Sequence, residues 1–135
     1  MNQEQSYGYL TVAVTTADGL MPIEGAAVSV SISDGNGLTL ISESMTDRSG
    51  KTERLTIPTP PRAASLTPSG AADDTKPFTT VVIEASKAGF YTNQYINTLV
   101  FPDILTIQNV NMFPSPGNTV GMEDTVYFDN GGNKI

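Results

Sequence analysis

The chain has 135 residues, of which 39% are hydrophobic and 16% charged, with 12 Gly and 9 Pro. This length and composition predict one turn-rich globular domain and exclude a charge-dense disordered chain. Cys and His are both absent, which excludes disulfides, thiolate sites, His-dependent nucleophile pairs and metals held by either residue. The net charge of −7 disfavours contact with phosphate backbones, so we expect no nucleic-acid partner.

The amino terminus carries no basic segment followed by an apolar run, which predicts that the chain has no secretory signal. We therefore expect a protein that is cytoplasmic as synthesised and leaves the cell only within a particle or assembly. No apolar run approaches the roughly 18 residues that a membrane helix needs, so we expect no membrane insertion.

Residues 7–16 and 26–33 alternate apolar and polar side chains, the period of a strand with one buried face. A hairpin signal at 34–37 follows, because Asn and Gly tolerate positive φ. The side chains predicted to point into the core are Leu10, Val12, Val14, Val28, Val30 and Ile32.

Turn residues separate five further predicted strands. These strands span 38–45, 52–57, 78–86, 93–101 and 104–112. Seven short strands without an amphipathic helix predict an all-β protein, a seven-stranded antiparallel Greek-key β-sandwich of immunoglobulin-like architecture.

Two segments differ from the strands in composition. Residues 58–77 are rich in Pro, Ala, Ser and Gly, which predicts one long exposed loop. Residues 115–135 are polar and glycine-containing, which predicts a C-terminal tail. We therefore divide the chain into a sandwich domain, 1–114, and a tail, 115–135, with a possible role as an assembly arm.

Short motifs recur where the predicted strands meet turns. They are Gly8-x-Leu10-x-Val12, Pro22-Ile23-x-Gly25-Ala26-x-Val28, Thr46-Asp47-x-x-Gly50-x-Thr52, Ile57-Pro58-x-Pro60-Pro61, Val82-x-x-x-Ser86-x-x-Gly89-Phe90 and Gln108-x-Val110-x-Met112-x-Pro114. Together these motifs resemble the carboxypeptidase regulatory-like domain in the form found in Firmicutes proteins, alone or with peptidoglycan-binding modules. The resemblance covers residues 8–114 and implies a transthyretin-like (prealbumin-like) sandwich that acts as a non-catalytic accessory, adhesion or structural module.

The chain departs from this family in two places. The 58–77 segment replaces the usual Pro-Gly-x-Tyr entry to the fifth strand, and residues 115–135 match no peptidoglycan-binding module. A related sandwich, the pilin and adhesin B-type domain, forms an isopeptide bond from a lysine in its first strand. Here the first lysine is Lys51, so we expect no such bond.

Acidic residues offer two candidate chemistries. Glu84 lies in an otherwise apolar strand, where burial would raise its pKa. The alternation of the strand predicts instead that Glu84 faces solvent. No partner carboxylate can be placed beside it from the sequence. Asp34, Asn36 and Asp47 carry the oxygen ligands that Ca²⁺ prefers. The EF-hand spacing and its distal Glu are missing, and turn chemistry accounts for 34–37. We therefore predict no metal, no cofactor and no catalytic residue.

Aromatic residues offer a third candidate site. Phe90, Tyr91 and Tyr95 are the candidate ligand-stacking residues, because aromatic rings present flat apolar area to a sugar. The same residue types commonly close the ends of a sandwich core, and the chain has no Trp.

Sandwiches also have edge strands, which pair with other chains unless they are protected. We expect a non-enzymatic structural or interaction module with protein partners, assembling with itself or into a larger phage-like or surface particle. The alternative is a carbohydrate- or peptidoglycan-binding accessory module, and a carboxylate-dependent hydrolase is the third class.

Overall fold

The computed structural model describes residues 6–33, 37–60, 78–115 and 125–130. The candidate calcium ligands Asp34 and Asn36, most of the 58–77 loop and most of the 115–135 tail lie outside these residues. In the described ranges, no helix has the length and hydrophobicity needed to cross a membrane.

Nine strands make up the regular structure of the described residues, which contain no helix. They are β1 (Ser6–Thr16), β2 (Met21–Pro22), β3 (Ala27–Ser33), β4 (Leu38–Met45), β5 (Leu55–Thr59), β6 (Thr79–Ser86), β7 (Thr92–Val100), β8 (Leu105–Met112) and β9 (Thr125–Asp129).

The strands form two sheets. In the smaller sheet, β1 lies at the centre, with β2 and β5 along one side and β8 along the other. The larger sheet has the order β4-β3-β6-β7-β9. The prediction of an all-β sandwich is confirmed.

The strand count and the strand directions differ from the prediction. The pairs β1–β8 and β7–β9 are parallel, and the described residues hold nine strands, not seven. The two additional strands come from the 17–25 segment, where β2 completes a hairpin with β1, and from the predicted tail, where β9 joins β7. Parallel pairing joins segments that are distant in sequence, so no hairpin signal announces it.

The core fills the space between the sheets. The predicted inward residues Leu10, Val12, Val14, Val28 and Val30 are at most 1% exposed, and Ile32 packs against them partly buried. The alternation along β1 and β3 therefore predicted correctly which face of each strand is buried.

The turn between β4 and β5 crosses from the larger sheet to the smaller one. Backbone bonds close it, from Gly50 N to Asp47 O at 2.8 Å and from Asp47 N to Lys51 O at 2.9 Å. The Asp47 carboxylate accepts the N–H groups of Ser49 at 2.8 Å and Lys51 at 3.1 Å. Hydrogen bonds from the Lys51 and then the Ser49 backbone hold the pKa of Asp47 below its usual value.

Two buried threonines attach this turn to both sheets. Thr46 Oγ1 donates to Ile23 O at 2.6 Å and accepts from Ala26 N at 2.9 Å, beside the start of β3. Thr52 N donates to Val12 O of β1 at 2.9 Å, and Thr52 Oγ1 accepts from Val12 N at 3.1 Å. The turn therefore sets how the two sheets meet at this end of the sandwich.

Gly50 lies where the turn touches β1. Its φ is +82°, and a Cβ there would lie 2.5 Å from Val14 O. We expect Gly89→Ala to lower the free energy of unfolding by about 1–2 kcal/mol, because alanine is strained in the left-handed conformation. Gly50→Ala should lower it by about 1–3 kcal/mol more, because the added Cβ also clashes with Val14 O. Gly89 is the matched control, because its φ is +91° and no atom lies within 4 Å of the added Cβ. Urea unfolding measures both, and equal losses would contradict the clash.

Thr46 supplies a second test of the turn. We expect Thr46→Val to destabilise the protein by about 1–3 kcal/mol, because the substitution keeps the shape but leaves a buried carbonyl and a buried N–H without their partner. The same substitution at the exposed Thr56 is the control and should be close to neutral. A similar unfolding midpoint for both variants would contradict this role of Thr46.

The Asp47 carboxylate makes the turn sensitive to pH. A depressed pKa means that the ionised form stabilises the fold at every pH above the usual, unfolded-state pKa of this carboxyl group. This stabilisation disappears as the pH falls through the lower, folded-state pKa. We therefore expect the stability difference between the wild type and Asp47→Asn to be largest near neutral pH and to shrink in acid. Denaturant unfolding at several pH values checks this, and a difference independent of pH would contradict it.

Candidate functional site

A cleft of about 600 Å³ opens between the two sheets, where the β1–β2 hairpin and β8 lie opposite β7 and β9. We call it the aromatic cleft. Its aromatic lining residues are Tyr95, Phe113 and Phe128, and its polar lining residues are Thr15, Asp18, Asn109 and Asn111.

The aromatic side of the cleft is built by β7 and β9. Tyr95 and Phe128 are neighbours in the parallel β7–β9 register, and their rings stack at 4.6 Å with an interplanar angle of 11°. Tyr95 is only 6% exposed, whereas Phe113, just beyond β8, is 43% exposed. The cleft thus combines one fixed aromatic pair with one accessible ring.

The polar side is built by the β1–β2 hairpin and β8. Ala17 and Asp18 adopt left-handed φ values of 56° and 58°, which is uncommon for residues other than glycine. Asn111 Oδ1 accepts the Asp18 N–H at 3.1 Å, and its amide nitrogen lies 3.5 Å from the Asp18 carboxylate. Asn111 therefore holds the hairpin against β8.

Asn109 differs from Asn111. Its side chain is exposed, and only its backbone oxygen takes part in a side-chain bond, from Gln108 Nε2 at 2.9 Å. Among the described residues, its side-chain amide has no hydrogen-bond partner. It offers one donor group and one acceptor at the edge of the cleft.

A buried amide lies behind the cleft wall. Asn93 is fully buried and donates through Nδ2 to Tyr95 Oη at 3.3 Å and to Asn111 O at 3.0 Å. Its Oδ1 has no hydrogen-bond partner among the described residues. Asn93 therefore links the two walls of the cleft.

The structure separates the three aromatic residues predicted from sequence. Tyr95 lies in the aromatic cleft, and Phe90 packs against the core partly buried. The backbone N of Tyr91 donates to Phe113 O at 2.9 Å, which places Tyr91 beside the end of β8. Ligand stacking by these three residues stays a prediction.

The sequence did not indicate which residues would line the same cleft as Tyr95. Asn109 and Asn111 alternate with the buried Val110 and Met112, so the strand period itself places them away from the core. Phe128 gave no comparable signal, because it lies in the segment predicted as a tail.

A second surface is the outer face of the smaller sheet, which we call the smaller-sheet face. Tyr9 lies opposite Leu105 and Thr11 opposite Ile107 in the β1–β8 register. Tyr7, Leu105 and Ile107 are 43%, 46% and 57% exposed. The guanidinium of Arg54 lies 4.8 Å from the centre of the Tyr9 ring. This surface is therefore largely apolar, with one cation over Tyr9.

The candidate acid Glu84 lies half-buried on the outer face of the larger sheet, while its neighbours Ile83 and Ala85 are buried. It borders an open hollow of about 430 Å³ that Glu43 also lines, with Ser29 of β3 paired between them. Within the described ranges, no group of three acidic residues could hold a metal ion.

No protein-family model matches the sequence, and no curated protein is significantly similar to it. Among solved structures, the chain is similar to chlorocatechol 1,2-dioxygenase from Pseudomonas putida, with a TM-score of 0.46, 17% identity and 82% of this chain covered. The chain spans 61% of the length of that enzyme chain. A similarity this low identifies neither a family nor an activity.

Proposed function

We propose that the protein is a non-catalytic structural module that assembles with copies of itself through the smaller-sheet face. The observation that carries this proposal is an exposed face of apolar side chains whose four strands carry no charged residue, with the Arg54 guanidinium stacked over Tyr9. Such surfaces commonly form protein–protein interfaces, because their burial removes apolar area from water and because arginine and aromatic residues are enriched in such contacts.

The distribution of charge favours a second copy as the partner. None of the residues of β1, β2, β5 and β8 is charged, whereas the larger sheet carries Glu43, Glu84 and Asp129. Two copies with a net charge of −7 each repel one another. Along the smaller-sheet face that repulsion is reduced, since its strands carry no acidic residue and the basic residues Lys51 and Arg54 lie beside them.

The edge strand β8 supports the same proposal. Thr15 and Thr16 donate to Val110 O and Met112 O, so these carbonyls point toward β1. The alternation of a strand then directs the backbone groups of Leu105 and Ile107 to the other edge, where no described strand pairs with them. An uncharged open edge is a template for pairing with another chain.

The family resemblance points the same way. The motif from Thr46 to Thr52, which forms the turn that joins the two sheets, is one of those that resemble the carboxypeptidase regulatory-like (transthyretin-like) domain. Such a domain is a non-catalytic accessory or structural module. The absence of His and Cys from the sequence adds to this support, because the commonest catalytic nucleophile–base pairs need them.

Self-assembly can be tested by native mass. We expect size exclusion with light scattering to give a mass that is a multiple of 14.3 kDa. Ile107→Glu should return the protein to the monomer mass, because each copy would then bring a carboxylate into the contact. Higher salt should weaken this effect by screening the repulsion.

Leu40→Glu is the matched control, because Leu40 is an exposed side chain of an edge strand in the larger sheet, 54% exposed against 57% for Ile107. This variant should keep the wild-type mass. A wild-type monomer at all concentrations, or equal loss of assembly in both variants, would overturn the proposal.

A further inference from the structure

We propose that the aromatic cleft binds one ring of a neutral saccharide. This inference goes beyond self-assembly, since the cleft is lined by residues of both sheets, whereas the smaller-sheet face is formed by the smaller sheet alone. Its basis is the combination of accessible aromatic area and a side-chain amide without a described partner in one cleft of about 600 Å³.

The aromatic residues supply the apolar contact. A pyranose ring has an apolar face of C–H groups, and flat aromatic rings bury such faces efficiently. Phe113 is 43% exposed, and the stacked Tyr95–Phe128 pair holds the opposite wall in place. A rigid wall reduces the ordering cost of binding.

The polar residues supply the hydrogen bonds. The Asn109 side-chain amide is free of described partners and can donate to one hydroxyl while it accepts from the next. Tyr95 Oη accepts from the buried Asn93 Nδ2, which fixes the orientation of the ring that lines the cleft. Vicinal sugar hydroxyls need this mixture of donors and acceptors.

Asn93 indicates that this arrangement has a cost for folding. A buried acceptor without a donor typically destabilises a protein by about 1–3 kcal/mol, and a fully apolar side chain at this position would avoid the loss. The amide nevertheless holds both Tyr95 Oη and Asn111 O. We therefore assign Asn93 as a positioning residue for the cleft.

The charge of the cleft selects a neutral ligand. Among the described lining residues, Asp18 carries the one carboxylate and none is Lys or Arg. An anion would meet Asp18 without a compensating cation, in a chain of net charge −7. An alkylammonium ion is the competing ligand, because carboxylates and aromatic faces also attract cations.

Titration of the ¹⁵N-labelled full chain, followed by amide chemical shifts, tests the proposal. The probes are the methyl glycosides of glucose, galactose and N-acetylglucosamine and their β-1,4-linked tetrasaccharides, up to about 50 mM, which covers millimolar dissociation constants. We expect saturable shifts at Asn109, Asn111 and Phe113. Tighter binding of a tetrasaccharide identifies a polysaccharide chain as the source, and equal binding identifies a single terminal ring.

Asn109→Ala and Phe113→Ala should each weaken binding about fivefold, the effect of losing one ordinary hydrogen bond or aromatic contact. Tyr127→Ala is the matched control and should leave the affinity unchanged, because Tyr127 is 63% exposed on β9 and does not line the cleft. The native mass of each sample is measured before the titration. A failure of self-assembly then appears in the mass, and a failure of saccharide binding appears in the chemical shifts.

Three outcomes would overturn the proposal. The first is that no saccharide shifts the cleft amides. The second is that tetramethylammonium chloride shifts them and the saccharides do not. The third is that Tyr127→Ala weakens binding as much as Phe113→Ala.

Discussion

The fold depends on how the chain crosses from one sheet to the other between β4 and β5. Thr46 satisfies backbone groups beside β3, and Thr52 satisfies both polar groups of Val12 in β1. Between them, Gly50 allows the backbone to approach Val14 so closely that no side chain fits. The cross-sheet distance is thus set by buried hydrogen bonds in addition to the contacts of the apolar core. Packing alone tolerates small sliding of two flat faces, whereas these bonds require one register.

Strand β8 contributes to both proposed surfaces. Its outward side chains begin with Leu105 and Ile107 on the smaller-sheet face and continue with Asn109 and Asn111 at the aromatic cleft. The change from apolar to amide side chains occurs along one strand without a change of backbone direction. A single edge strand can therefore support protein contact at one end and small-molecule contact at the other.

Some of the local features that oppose stability in the described residues lie beside the aromatic cleft. Ala17 and Asp18 adopt left-handed backbone conformations beside it, and the unpaired Oδ1 of Asn93 is buried behind it. Natural sequences are mostly consistent from local propensity to global packing, and exceptions concentrate at functional sites. Asn97 and Asp103 adopt left-handed conformations as well, and Ser44 Oγ is buried without a described partner, although none of these residues lines the cleft. The assignment of the cleft therefore depends on its lining residues and not on these exceptions.

Sequence alone determined the fold class, the bounds of most strands to within a few residues and the inward faces of β1 and β3. It did so because alternation is a local property that each strand carries in its own residues. The motif from Thr46 to Thr52 likewise identified its turn, since Asp and Gly at those positions satisfy the turn without distant partners.

Only the tertiary structure decided which strands become neighbours. The parallel pairs β1–β8 and β7–β9 join segments far apart in sequence, and no local pattern encodes that choice. Phe128 therefore could not be assigned to Tyr95, nor Asn111 to Asp18, before the strands were placed. The smaller-sheet face has the same origin, because Tyr9 and Leu105 form one apolar surface only when β8 lies beside β1. Periodicity specifies which face of a strand is buried, whereas the contacts that form a site depend on packing between distant segments.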